Sequence, residues 1–384
     1  MSRRSLTVAL WTLGILNFGT NLLAVVDYEG YDTIPVWRSL HAVLTHGPIY
    51  THHGAGDFLY PPSALLLLLP LGALNVHAAK ALLFAADIAS MLLATGLLLR
   101  LFRLRWSGLA GAVALCGISL AYPVSFTLGA GQVDALVLLG FAGFLIAADR
   151  GSWTIGAALL GLTLALKPVL APVVLILILY KRWAAVLAAV LIPSVLSGIV
   201  LLAVPRSRAY FSDTLPLLWH GQNLQIQEVS YSLASVGRRL GVPVPVTDAV
   251  RLALLAATAL LLWKRLKGSH AEPRRLIELS TIALASAFLL ASFAFPTYGV
   301  FLLPFAVAVA AETSAAQHWL TWSALFCVSE RQGWHLDRLP RRLNQLLAVR
   351  FTFGLLLVLL AAYTAIRRER EDRTEGSNPS PSAS

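Results

Sequence analysis

The chain has 384 residues, 57% of them hydrophobic and only 13% charged. A soluble domain carries about 25% charged residues, so a string of soluble domains is excluded and the chain reads as an all-α polytopic membrane protein. The net charge of +11 comes from arginines and lysines that punctuate apolar runs, the pattern of a positive-inside membrane protein rather than of a nucleic-acid surface.

The first apolar run extends from Leu6 to Val26, behind Arg3 and Arg4, and ends at Asp27-Tyr28-Glu29. It is long enough to span, and the two arginines place its start in the cytoplasm. Further apolar runs fall at 78–99, 107–126, 132–148, 153–167, 168–180, 184–204, 249–265, 275–293, 297–311, 316–328 and 347–366. Basic clusters follow the even-numbered runs: Arg100, Arg103 and Arg105; Arg150; Lys181 and Arg182; Lys264, Arg265 and Lys267; Arg367, Arg368 and Arg370. About twelve crossings with both termini cytoplasmic satisfy this pattern. The run 65–69, between Pro61-Pro62 and Pro70, is too short to span, so 60–74 reads as a re-entrant or interfacial segment. Three long segments, 27–59, 205–248 and 329–346, then lie outside. The last of these holds Arg331, Arg338, Arg341 and Arg342; it is either an external basic loop or a sign that the last two spans run differently. From Glu371 the composition is that of a disordered tail. The two cysteines, Cys116 and Cys327, sit in apolar runs and imply no disulfide framework.

The first outer segment holds three carboxylates, Asp27, Glu29 and Asp32, before Pro35-Val36-Trp37-Arg38. Pro35 suits the first turn of a helix that Asp32 or Thr33 could cap, and 36–44 has the pattern of a helix lying on the membrane surface. A carboxylate held there can serve as a general base; the blander reading is a hydrated loop with a capping Asp32. Asp27 directly ends the first run and Glu29 adjoins Gly30, whereas Asp32 lies at the start of a rigid element. Phe58-Leu59-Tyr60-Pro61-Pro62 sets an extended bend with Tyr60 at headgroup depth. His52, His53 and Asp57 lack a third partner at ligand spacing, so no metal is expected. In Gly129-Ala130-Gly131-Gln132-Val133-Asp134, Asp134 enters the apolar zone, where it is either functional or a helix cap. Lys167 is one of five lysines in the chain and precedes Pro168. At the outer end of its run an ammonium either meets a lipid phosphate or snorkels. The second outer segment interleaves Arg206, Arg208, Tyr210 and Trp219 with His220, Gln222 and Asn223, the aromatic-plus-amide mixture of a sugar site. Phe295-Pro296-Thr297-Tyr298-Gly299 reads as a tight outer turn with Tyr298 toward the cavity.

An acidic residue after the first span, Tyr60-Pro61-Pro62, Gly131-Gln132 and Leu166-Lys167-Pro168 together resemble glycosyltransferase family 87, over about residues 20–366. Within the family, the stretches from Asp32–Arg38 to Leu59–Pro62, Leu162–Leu170, Arg182–Ala189, Phe211–Pro216 and Tyr298–Phe305 are most similar to actinobacterial arabinofuranosyltransferases that introduce α-(1→3) branches into cell-wall arabinan. The resemblance implies a single GT-C transmembrane domain over residues 1–370. It implies inverting transfer at the outer face of the plasma membrane, from a polyprenyl-phosphate sugar such as decaprenylphosphoryl arabinose to a polysaccharide or lipoglycan acceptor, with no cofactor. Asp32 is then the base, and Lys167 with Arg208 holds the donor phosphate. Asp27, Arg38, Tyr60, Gln132, Asp134, His220, Asn223 and Tyr298 become substrate contacts. The family often has Asn where this chain has Asp134. Two other readings stay open: a polyprenyl-phosphate-mannose-dependent transferase of the same family, and a lipid-linked sugar flippase or exporter, which needs no base.

Overall fold

The computed structural model describes residues 2–26, 30, 32–50, 57–220, 229–267, 274–311, 319–329 and 349–376. All regular elements among them are helical. Helix α1 covers Arg3–Val26, α2 Thr33–Leu44, α3 Pro62–Gly72 and α4 Val76–Leu101. Next come α5 Leu109–Leu120, α6 Tyr122–Ala130, α7 Asp134–Asp149 and α8 Trp153–Leu166. A 3-10 turn, Pro168–Val173, leads into α9 Val174–Leu179, and α10 is Trp183–Ala203. After short turns at 205–214 come α11 Leu215–Trp219, α12 Leu233–Arg239, α13 Val244–Leu266 and α14 Arg274–Leu290. A 3-10 turn, Pro296–Leu302, precedes α15 Leu303–Ala311, followed by α16 Trp319–Ser329 and α17 Arg350–Gly376.

Among the described residues three helices, α4, α10 and α13, are long and apolar enough to cross a membrane. The run 107–126, expected as one span, forms the pair α5 and α6, bent by 62°. Ala121 is extended between them and Pro123 lies in the first turn of α6, so the hydrogen-bond ladder cannot run through. The run 6–26 lies in the 24-residue α1 and most of 347–366 in the 27-residue α17, and the other apolar runs form helices shorter than 18 residues, two of them preceded by proline-led 3-10 turns. The segment 60–74 contains the 11-residue α3, about 16 Å long, packed against α2, α8 and α10. Helix α17 continues to Gly376. Its Arg-Glu-rich sequence is a strong helix former with oppositely charged residues four apart. Residues 377–384 and most of the segment 329–346 lie outside the described residues.

Helix α7 is the centre of the packing. Val137, Leu138, Phe141, Phe144 and Leu145 are buried between α4 on one side and α8 on the other. Helix α10 packs on α8 and α3 yet leaves Leu187, Val190, Leu191, Val195, Ile199 and Leu202 exposed. An apolar face of that extent is covered by lipid in a membrane-embedded chain.

The two ends of the bundle differ in chemistry. At one end Arg182 stacks over Trp153 at 5.1 Å, and Arg275 donates to the Tyr180 hydroxyl at 3.1 Å. There too Glu278 holds both Arg265 and Arg274. These are the basic clusters that the sequence places on the inner side. Helix α8 runs from Trp153 at that end to Lys167 at the other. There Arg206 donates to the carbonyls of His46 and Gly47, and Tyr210 packs on Tyr50 at 5.6 Å. The segments expected as the first and second outer loops therefore meet on one side of the molecule.

Candidate active site

Three breaks in helical structure build the site. The first is the start of α2. Asp32 N–H donates to Ala130 O at 3.0 Å and Thr33 Oγ1 donates to Gly131 O at 3.2 Å, which pins this end of α2 to the turn between α6 and α7. The second is that turn. Gly131 adopts φ 68°, the left-handed conformation that closes a helix, and an added Cβ would collide with the Thr33 side chain. The chain then reverses and presents Gln132 and Asp134. The third is the end of α8. Lys167 precedes Pro168 and is extended, φ −153° and ψ 118°, as the proline ring requires of the residue before it. Its side chain thereby leaves the helix. Ser63 Oγ donates to Ala165 O at 2.7 Å and ties the Tyr60-Pro61-Pro62 bend to the same place.

The result is a continuous line of polar contacts. Lys167 Nζ donates to Asp134 Oδ1 at 2.6 Å and to Gln132 Oε1 at 3.1 Å. Gln132 Nε2 donates to Asp32 Oδ2 at 2.6 Å. An ammonium only donates, so it fixes the carbonyl side of the Gln132 amide toward itself and the NH₂ side toward Asp32. The lysine is 5.9 Å from the Tyr60 ring centroid and 5.3 Å from that of Tyr298. Asp134 is fully buried, while Lys167 keeps 16% of its side chain exposed.

Asp32 stands at the N-cap position of α2 but its side chain makes no capping bond, because the carboxylate turns to Gln132. Its carboxyl lies above the usual carboxylate range. Burial is the main cause and the nearby Asp134 charge adds to it, against the Gln132 hydrogen bond and the Lys167 charge, which lower it. The Asp32 carboxylate, with one oxygen free of other described partners, can accept a proton; the Lys167 ammonium can hold an anion.

Of the residues singled out from the sequence, the structure brings together Asp32, Tyr60, Gln132, Asp134, Lys167 and Tyr298. It does not bring Arg208 or Arg38 to them: both are exposed and make no hydrogen bond or ion pair among the described residues. Arg206, two residues earlier, is committed to the His46 and Gly47 carbonyls. His220 is exposed at the end of α11, with Nδ1 2.7 Å from Pro216 O. Asp27, Glu29, His52, His53 and Asn223 lie outside the described residues. One group escaped the sequence reading. Asp87, on α4, is fully buried and acts electrostatically on Asp134 and Lys167. An ionisable residue inside an apolar run was the available signal.

Residues 58–292 match the family model described as Glycosyltransferase family 87. The chain belongs to glycosyltransferase family 87. It is thus a glycosyltransferase, and the matched region includes Tyr60, Gln132, Asp134 and Lys167, whereas Asp32 precedes it. The chain is similar to the α-(1→3)-arabinofuranosyltransferase of Mycolicibacterium smegmatis, 26% identical over 367 residues, which cover 93% of this chain and 84% of that protein. It is 26% identical over 368 residues to the one from Mycobacterium tuberculosis, with the same coverage, and 24% identical over 381 residues to the one from Corynebacterium glutamicum, covering 97% of this chain and 90% of that protein.

Proposed function

We propose that this family 87 enzyme transfers an arabinofuranosyl group from a polyprenyl-phosphate donor to an arabinan acceptor, with inversion, forming α-(1→3) branches. The work is done at the outer face of the plasma membrane by one GT-C domain of about twelve crossings, residues 1–370. The observation that carries the reading is the hydrogen-bonded line Asp32–Gln132–Lys167–Asp134. The names of the relatives support the sugar and the linkage.

In this reading the polyprenyl phosphate is already a good leaving group. Lys167 has given two of its three N–H donors to Gln132 and Asp134, and the third meets the phosphate as the glycosidic bond breaks and charge gathers there. Asp32 takes the proton of the acceptor hydroxyl while the acceptor oxygen forms its bond to the anomeric carbon. The polyprenyl phosphate departs with the electron pair of the old bond, and attack from the opposite face inverts the centre. The raised affinity of the Asp32 carboxyl for a proton suits a base working near neutrality. Arg208 is not needed for this step.

The test uses the purified chain in detergent with a synthetic arabinan acceptor and two donors, lipid-linked arabinofuranose and lipid-linked mannose. The expected outcome is transfer from the arabinofuranosyl donor that Asp32→Asn abolishes. Use of the mannosyl donor alone would make the protein a mannosyltransferase. Movement of either lipid across a bilayer with no transfer would make it a flippase.

A further inference from the structure

Asp87 lies in the middle of α4, and its side chain is fully buried. Neither carboxyl oxygen has a hydrogen-bond partner among the described residues. Burial of an unsatisfied ionisable group inside a membrane helix is expensive, and native proteins keep such groups where something polar meets them. Asp134 Oδ2 is buried and unpartnered in the same way. The two carboxyls belong to one cluster. Helix α4 packs along α7, whose first turn carries Asp134, and the Tyr60 hydroxyl feels the charges of Asp32, Asp87 and Asp134 together. The hydrogen bonds of Lys167 go to Gln132 and Asp134 and leave Asp87 aside.

Three acceptor oxygens are therefore held ready, without donors, beside the lysine and the base. Their complement is a group rich in hydroxyl donors. A phosphodiester would be repelled there and a prenyl chain would leave the oxygens unsatisfied. Asp87 also lies roughly 16 Å along the helix axis from Val76, a depth suited to a group delivered on a lipid rather than to a polymer arriving from water. We propose that Asp87 is a substrate-binding residue that accepts a hydrogen bond from a hydroxyl of the donor's glycosyl group, with Asp134 Oδ2 as the adjacent acceptor. The proposal rests on the polyprenyl-phosphate donor chemistry inferred above.

The test compares binding of two lipids, polyprenyl-phosphate arabinofuranoside and bare polyprenyl phosphate, to the wild-type chain and to Asp87→Leu and Asp87→Asn in detergent. Leucine suits a buried membrane helix and removes the unsatisfied group, and thermal midpoints verify that both variants are folded. The wild type is expected to prefer the glycosylated lipid by roughly tenfold or more, the scale of a hydrogen bond to a charged group. Asp87→Leu should erase that preference while leaving affinity for bare polyprenyl phosphate unchanged, and Asp87→Asn should keep part of it. A folded Asp87→Leu that retains the wild-type ratio overturns the proposal, since Asp87 then meets only water or protein. A wild type that binds both lipids equally overturns it as well, while leaving the donor class standing. A wild type that binds neither overturns the donor class and this inference with it.

Discussion

At the scale of single residues, the site depends on which donor faces which acceptor. Asp32→Asn keeps the size of the side chain but removes the basic oxygen, so transfer should fall by at least about 10²-fold, the usual contribution of a general base, in a folded protein that still binds donor. Asp27→Asn should cost much less; a dead Asp27→Asn beside an active Asp32→Asn would move the base to the end of the first span. The acidic limb of the kcat/KM profile should report the ionisation of Asp32, because the base works only when deprotonated and its carboxyl sits above the usual carboxylate range. The Gln132 hydrogen bond holds that carboxyl down, so Gln132→Leu should move the acidic limb to higher pH. An unmoved limb would mean that the titrating group is not Asp32. Lys167 is a phosphate-binding candidate and also the partner of a fully buried Asp134. Lys167→Met leaves that carboxylate unpaired, at a cost of about 3–5 kcal/mol. Asp134→Asn in the same chain should recover most of the stability and none of the donor affinity. Recovery of both would mean that the ion pair is architectural.

At the scale of elements, the decisive feature is the turn between α6 and α7. It works through Gly131, whose left-handed backbone and lack of Cβ let α2 come close enough to place Asp32 on Gln132. Gly131→Ala should cost about 1–2 kcal/mol for the backbone alone, plus a steric part from Thr33, and should depress transfer along with the thermal midpoint. Thr33→Ala in the same chain should return the steric part only. Wild-type midpoint and rate in Gly131→Ala would show that the turn is not a constraint. The α2–α3 contact has a similar requirement, since a Cβ on Gly72 would lie 2.6 Å from the Leu40 carbonyl carbon.

For the whole molecule, the placement of charge gives a topology that can be measured. The basic clusters at Lys181-Arg182 and Lys264-Arg265 gather at one end, joined there by Arg274 and Arg275, and Lys167, Tyr50 and Tyr210 lie at the other. Under the positive-inside rule, the proposed orientation has the site on the outer side. In a chain lacking Cys116 and Cys327, a cysteine placed at position 225 should react with an impermeant thiol reagent from outside intact cells. Reaction only after permeabilisation would reverse the orientation.

Much of this was legible in the amino-acid sequence. Composition alone determined an apolar helical chain, because 13% charged residues cannot cover a water-facing surface. Local rules determined several elements, such as Pro35 in the first turn of α2 and Pro168 ending α8. Asp32, Gln132, Asp134 and Lys167 could each be singled out by type and depth. What only the tertiary structure decided was their joining. These residues are about 30 to 100 positions apart, and no periodicity within a helix reports a contact between the end of one and the start of another. The same reason explains the misplaced expectations. Asp32 meets the rule for a cap, yet Gln132 of the α6–α7 turn takes its carboxylate. Asp87 offered only the signal of one carboxylate in an apolar run, and its importance became visible when packing showed that no described residue satisfies it.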